Sequence, residues 1–331
     1  MTATLPPEVQ QVFGRFITTE FTTVDRSGQP ITWPLTPYYR PGDPCIDVST
    51  GLGYPKKAND ARANPRVALL FSDPTGSGLE APPQVLVQGT ADVDDRDLDA
   101  NRERYRRELA EKLPTAAGDM PPRAFDRLLS WYLTRIYVHV RPERIYAWKD
   151  GNVTVEPELY DAHIEEVRSG HVEEPLEERA AAPGGAVAWD ERMQELGARY
   201  PEAVVSLVAP DGFPFSVRLP IELDRGARRI RLGGAPVGVP WEPGPACLTA
   251  HDHPPDFKWQ RNFQVRGDLV EEPDASWSIV PHRLIGGFEL PPGSRIAQMR
   301  LNLKKMRRYR KTAKRQLAAR NDKAPRQAEA Q

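Results

Sequence analysis

Two cysteines, Cys45 and Cys247, are the only thiols in this 331-residue chain. They cannot form a disulfide framework, and with no CxxC spacing present the chain is neither a cysteine-stapled fold nor a dithiol redox protein. No stretch approaches the ~18 apolar residues of a membrane helix. The segment Met1 to Pro7 lacks the basic and apolar regions of a signal peptide. A cytoplasmic location is therefore expected, and scarce cysteine fits a reducing compartment. The formal net charge is only −1, so the molecule as a whole has no attraction for polyanions. No GxGxxG, Walker loop or nucleophile elbow is present, which leaves nicotinamide-fold and P-loop readings unsupported.

Proline, by contrast, is abundant at 34 residues. It clusters between short β-branched runs, as in Thr32-Trp33-Pro34-Leu35-Thr36-Pro37, where it marks strand edges and turns. A short helix is expected over Pro7 to Gly14. Strands follow at Phe16 to Val24, Ile31 to Tyr39, Cys45 to Ser49, Arg66 to Phe71, Gln84 to Val93 and Ile136 to Trp148. The polar stretch Lys56 to Asn64 reads as a helix closed by Pro65. Residues 95–133 read as a charged helical insertion, with helices over Asp95 to Leu113 and Arg123 to Leu133. Together, residues 1–155 form one module.

Residues 156–185 change character. Nine acidic residues lie between Glu156 and Glu178, which reads as a solvated linker. A second module then spans 186–292, with strands at Ala203 to Val208, Phe213 to Leu223, Arg229 to Leu232, Ala246 to Ala250, Phe263 to Val270 and Trp277 to Phe288. Gly28-x-Pro30 matches Gly212-x-Pro214, Gln88-Gly89 matches Arg266-Gly267, and Pro142-x-Arg144 matches Pro281-x-Arg283. The order of these matches points to duplication, and copy two lacks the helical insertion. The expected fold is mainly β with peripheral helices (α+β): two small split barrels packed as an internal pseudo-dimer. Whether the chain stays a monomer or forms a homodimer is left open.

Chemistry concentrates in Ser49-Thr50-Gly51-Leu52-Gly53-Tyr54-Pro55-Lys56-Lys57. Two hydroxyls at a strand end, a glycine turn and two lysines at a helix start suit a phosphate. The same lysine pair also reads as a solvated surface. His251-Asp252-His253 lacks a third ligand at regular spacing and precedes Pro254-Pro255, so it reads as a loop and no metal is expected. His139 and the cysteines read as packed residues.

The run from Pro55 to Leu70 resembles the signature of the pyridoxamine-5′-phosphate-oxidase-like split-barrel family of flavin and deazaflavin oxidoreductases. So do the turn Gly28-Gln29-Pro30, the strand Val85 to Gly89 and the closing Val140 to Trp148. The resemblance implies FMN or coenzyme F420 bound between two barrels, with a small-molecule substrate beside the ring. It implies that Lys57 holds the cofactor phosphate and that Ser49 and Thr50 donate to it. Lys56 is then a second ligand or a surface charge. Thr32 and Trp33 would lie along the ring and Gln88 near the ring or ribityl chain. Copy two has no lysine or arginine in Gly233 to Pro243, so its own phosphate site reads as lost. Lys258, Trp259 and Arg261 are candidates for a facing wall. Hydride chemistry belongs to such a cofactor, and no catalytic acid or base is nominated. A non-catalytic carrier of flavin, deazaflavin or haem is the alternative.

Residues 293–331 form a basic tail. Twelve lysines and arginines lie between Arg300 and Arg326 against one acid, Asp322. Its apolar residues look irregularly spaced. Nucleic acid or another anionic surface is one candidate partner for residues 300–326, and the acidic linker is another.

Overall fold

The computed structural model describes residues 5–118, 120, 122–126, 128–161, 191–286 and 295–321. The first module runs α1 (Pro7–Arg15), β1 (Thr19–Val24), β2 (Pro30–Leu35), β3 (Ile46–Gly51), α2 (Lys56–Ala63), β4 (Arg66–Phe71) and β5 (Gln84–Asp94). It continues through α3 (Leu98–Lys112), α4 (Pro114–Gly118), α5 (Ser130–Leu133), β6 (Arg135–Trp148) and β7 (Glu158–Asp161). The second comprises α6 (Glu191–Arg199), β8 (Glu202–Val208), β9 (Pro214–Asp224), β10 (Arg229–Leu232), β11 (Gly244–Asp252), β12 (Arg261–Glu271) and β13 (Trp277–Gly286). Helix α7 (Arg295–Asn321) ends the described chain.

The two modules share one topology. Strand order in the first is β2-β1-β4-β5-β6-β3, and in the second β9-β8-β11-β12-β13-β10. Each strand of one module thus has a counterpart at the same place in the other. In the second module β9 also pairs with β10, which closes the barrel. The first is bridged there through Tyr38 and Asp47, so it remains split between β2 and β3.

The repeated Gly89 and Gly267 have a common cause. Both strands slip register at this point, between Gln88 and Gly89 against β6 and between Arg266 and Gly267 against β13. A Cβ on Gly89 would lie 2.1 Å from the Arg141 carbonyl oxygen, and one on Gly267 2.3 Å from that of Val280. Only glycine lets the backbones approach so closely at the bulge.

A ring of four hydroxyls marks the seam between the modules. Thr32 Oγ1 donates to Ser206 Oγ (2.6 Å), Ser216 Oγ donates to Ser206 Oγ (2.8 Å), and Thr22 Oγ1 pairs with both Thr32 and Ser216 at 2.9 Å. All four residues are fully buried. Counted from the turn glycines Gly28 and Gly212, Thr22 stands where Ser206 does and Thr32 where Ser216 does. The ring therefore sits on the internal pseudo-twofold, the arrangement of an isologous dimer contact within one chain. Around it the second core takes in Leu70, Leu86, Tyr146 and Trp148 of the first module. Phe215 stands edge-on to Tyr146 and Trp148 at 5.9 and 6.2 Å.

A buried ionic cluster also crosses the seam. Glu20 Oε1 accepts from Ser72 Oγ (2.9 Å) and Arg218 Nη2 (3.1 Å), and lies 2.6 Å from His251 Nε2. His253 meets Thr18 at 3.1 Å. Asp252, between the two histidines, points the other way and binds Arg199 and Tyr200. His251 and Asp252 thus belong to β11 rather than to a loop.

Four further local expectations are revised. Residues Arg123 to Leu133 are not one helix but a 3₁₀ turn (Arg123–Phe125) and the short α5. Phe125 and Leu128 stay about half exposed, so no apolar face forms to carry a longer helix. The stretch expected as a linker begins with β7, paired to β6, while residues 162–190 lie outside the described residues. Helix α6 was not foreseen; Met193 and Leu196, three residues apart, bury its inner face. The tail helix has a face after all. Met306, Tyr309 and Ala313 fall three and four residues apart and pack on the first core.

Candidate functional site

The split side of the first barrel gathers cations that, among the described residues, have no carboxylate within ion-pair distance. Strand β3 ends at Gly51, and the turn that follows is pinned to α5 and β6. Leu52 N donates to Thr134 O (3.0 Å) and Gly53 N to Trp131 O (2.8 Å). Helix α2 then starts after Pro55 with no side-chain cap, so its first backbone N–H groups stay available to an acceptor.

Lys57 lies in the first turn of α2, half-buried. Its ammonium sits 5.4 Å from the Tyr54 ring centroid and 5.7 Å from that of Trp33. Among the described residues no carboxylate lies within ion-pair distance of it. Burial, with the nearby Arg135 charge, lowers its pKa to about 8. Lys56, one residue earlier, is exposed and bonded to both oxygens of Asp60 at 2.9 Å. The two lysines are electrostatically unlike: one is satisfied at the surface, the other is desolvated between rings.

Arg135 is the second cation. It starts β6 directly opposite Gly51 and is buried. Its Nε donates to Ser49 Oγ (3.2 Å), and its Nη1 to Tyr54 Oη (3.0 Å) and Tyr132 O (3.2 Å). Its guanidinium lies 4.0 Å from the Tyr105 ring centroid. It too has no ion-pair partner among the described residues. Ser49 accepts from Arg135, and among the described residues its own hydroxyl hydrogen has no acceptor. Burial pushes Tyr54 up to about 12, so its hydroxyl is a neutral hydrogen-bonding group. Thr50 is committed locally, donating to Tyr54 O (3.1 Å). Lys57, Arg135, Ser49 and Tyr54 thus form one cluster with excess positive charge, hydroxyl donors and an open helix start. Such a set suits a phosphate or similar anion.

The other sequence-predicted residues fall elsewhere. Thr32 is locked in the hydroxyl ring, and its carbonyl accepts from Gln264 (2.7 Å) and Thr249 (3.1 Å) of the second module. Only its neighbour Trp33 reaches the cluster. Gln88 donates across the seam to Pro214 O (2.9 Å). Lys258 pairs with Asp256 (2.7 Å) and Arg261 with Glu195 (2.9 Å). Trp259 lies under Arg199, 5.6 Å from ring centroid to guanidinium. From that same loop Phe257, like His253, reaches the first module, packing on a cluster containing Tyr38, Tyr105 and Tyr137. Sequence reasoning missed Arg135, Tyr54 and Trp131. Arg135 belongs to no local motif and reaches Ser49 only through the β3–β6 pairing.

Neither protein-family models nor curated proteins match this chain. Solved structures do. A putative pyridoxamine 5′-phosphate oxidase from Listeria innocua is 14% identical and has a TM-score of 0.31, covering 42% of this chain and 94% of its own. An F420 reductase is 18% identical, with a TM-score of 0.31 and coverages of 43% and 98%. A haem storage protein from Vibrio cholerae is 15% identical, with a TM-score of 0.32 and coverages of 44% and 96%. The fold, read from its strand orders, is a tandem of two small barrels, the first split and the second closed. The tandem arrangement itself rests on the matching strand orders and the hydroxyl ring.

Proposed function

We propose that this tandem split barrel binds a phosphorylated flavin or deazaflavin, FMN or coenzyme F420, and serves as an oxidoreductase for a small molecule. One observation carries the reading: Lys57 and Arg135 share a partly buried site in which, among the described residues, no carboxylate lies within ion-pair distance of either. Lys57, Arg135, Ser49 and the start of α2 would hold the phosphate, with Thr50 beside it, and Trp33 and Tyr54 would flank it. Lys56, already paired with Asp60, would add long-range charge only. When bound, such a cofactor supplies the hydride chemistry, and the protein supplies binding and orientation. The second module would wall the site, with Phe257 packed on the cluster that holds Tyr105.

The test is titration with FMN and with F420, alongside absorbance and mass analysis of whatever the denatured protein releases. Lys57→Ala is expected to weaken binding about tenfold to a hundredfold, the worth of one charge-assisted hydrogen bond. Undiminished affinity in that variant removes Lys57 from the site.

The second reading is a non-catalytic carrier of flavin, deazaflavin or haem. It is favoured by the loop Gly233 to Pro243, which replaces α2 in copy two and carries no cation. A yellow flavin spectrum without turnover, or a Soret band, would support it.

A further inference from the structure

Helix α7 reaches the cation cluster. Tyr309 stacks on Trp131, with ring centroids 5.4 Å apart and planes at 20°, and stands edge-on to Tyr54 at 5.4 Å. Tyr54 is the ring against which Lys57 lies, and its hydroxyl takes the Arg135 hydrogen bond. The approach is close: a Cβ on Gly53 would lie 2.9 Å from Tyr309 Cβ. Farther along α7, Arg320 pairs with Asp95, and the same carboxylate holds Arg62 of α2 at 3.0 Å. The segment from Gly53 to Ala63, which carries Lys57, is therefore braced by α7 at both ends.

This bracing matters because Lys57 has an alternative. Asp60 lies on the same helix, and a Lys57 ammonium released from its rings would turn toward that carboxylate and toward water. A Tyr54 ring fixed from behind holds Lys57 and Arg135 ready for an anion, so that little ordering is left for binding. We propose that α7 is a working part of the anion site, with Tyr309 the positioning residue that fixes Tyr54 and, through it, Lys57 and Arg135. The inference rests on the cofactor reading above.

The test uses the full chain with Tyr309→Ala, Tyr309→Phe and Lys57→Ala, singly and with Tyr309→Ala and Lys57→Ala combined. FMN and F420 are titrated beside riboflavin and the phosphate-free F420 chromophore. Tyr309→Ala is expected to weaken the phosphorylated cofactor about tenfold, equivalent to 1.4 kcal/mol. Tyr309→Phe keeps the stack and stays within about twofold. The phosphate-free compounds are unmoved, and Tyr309→Ala adds no loss once Lys57 is alanine. Where Tyr309→Ala does not fold, Arg320→Ala replaces it, with a loss of about threefold expected. Unchanged cofactor affinity in these variants, or an equal loss for riboflavin and FMN, overturns the role of Tyr309 and leaves the cofactor reading standing. If the unaltered chain binds neither FMN nor F420, the cofactor reading falls and this inference falls with it.

Discussion

Lys56 and Lys57 are adjacent in sequence and opposite in circumstance: Lys56 grips Asp60 at the surface, while Lys57 lies against Tyr54 and Trp33 with no carboxylate at ion-pair distance among the described residues. The helix turn of about 100° per residue sends them to different faces.

The pH dependence follows from the lowered pKa of Lys57, about 8 in the folded chain. The unfolded chain keeps this proton to about 10.4. Between those values the unfolded state binds more protons, so the stability of the unliganded protein rises with pH across that window. Lys57→Met is expected to raise the urea midpoint at pH 7 and to flatten the rise between pH 8 and 10. Anion affinity runs the other way, falling as pH climbs through 8. FMN titrations at pH 7 and pH 9.5 check this, and a flat profile removes Lys57 from the phosphate.

The hydroxyl ring couples the modules. Thr32→Val keeps the side chain's shape but breaks two ring bonds and strands a buried hydroxyl. A loss of roughly 1–3 kcal/mol is expected. Chemical denaturation measures it, and the loss is not expected to add to that of Ser206→Ala, because the two residues share a bond.

Glu20 is fully buried, and burial alone would raise its pKa. The hydrogen bond from His251 and the Arg218 charge outweigh that and hold the carboxyl below its usual range. Its stabilisation is thus complete above about pH 4.5 and lost as pH falls through the lowered folded value. Arg218→Met leaves a buried carboxylate without its cation and is expected to destabilise by about 3–5 kcal/mol. Adding Glu20→Gln is expected to recover much of this loss and to reduce the acid sensitivity. Denaturant melts at pH 4 and pH 7 decide it.

Two glycine substitutions separate backbone roles. Gly89→Ala drives a methyl into the Arg141 carbonyl and is expected to be among the most damaging single changes, on the order of 3 kcal/mol or more. Gly14→Ala, near the end of α1, meets no atom within 4 Å and is expected to stabilise by about 0.5–1 kcal/mol. Thermal melts of both variants suffice, and a benign Gly89→Ala would refute the bulge account.

Much of the local structure could be read from the sequence because its causes are local. Arg66 to Phe71 and Arg229 to Leu232 coincide with β4 and β10. Proline, glycine turns and β-branched runs restrict the backbone whatever surrounds them. The repeat was legible for the same reason, since Gly28, Gly89, Gly212 and Gly267 serve backbone geometry that both copies require. Lys57 could be singled out because a lysine at an uncapped helix start after a glycine turn has a chemical meaning on its own.

What the chain does with these pieces was decided in three dimensions. Nothing near Arg135 in sequence points to Ser49; they meet because β3 pairs with β6 across a separation of more than eighty residues. Nothing in the tail announces that Tyr309 faces Trp131, because a helix reveals its buried side only against a partner. Thr32 looked like a wall for a ring and became part of a seam, since burial pairs hydroxyls with whatever polar groups the second module brings. Sequence alone determined which backbone shapes and charges are present; tertiary packing decided which of those charges are neutralised, and among the described residues it left Lys57 and Arg135 without an ion-pair partner.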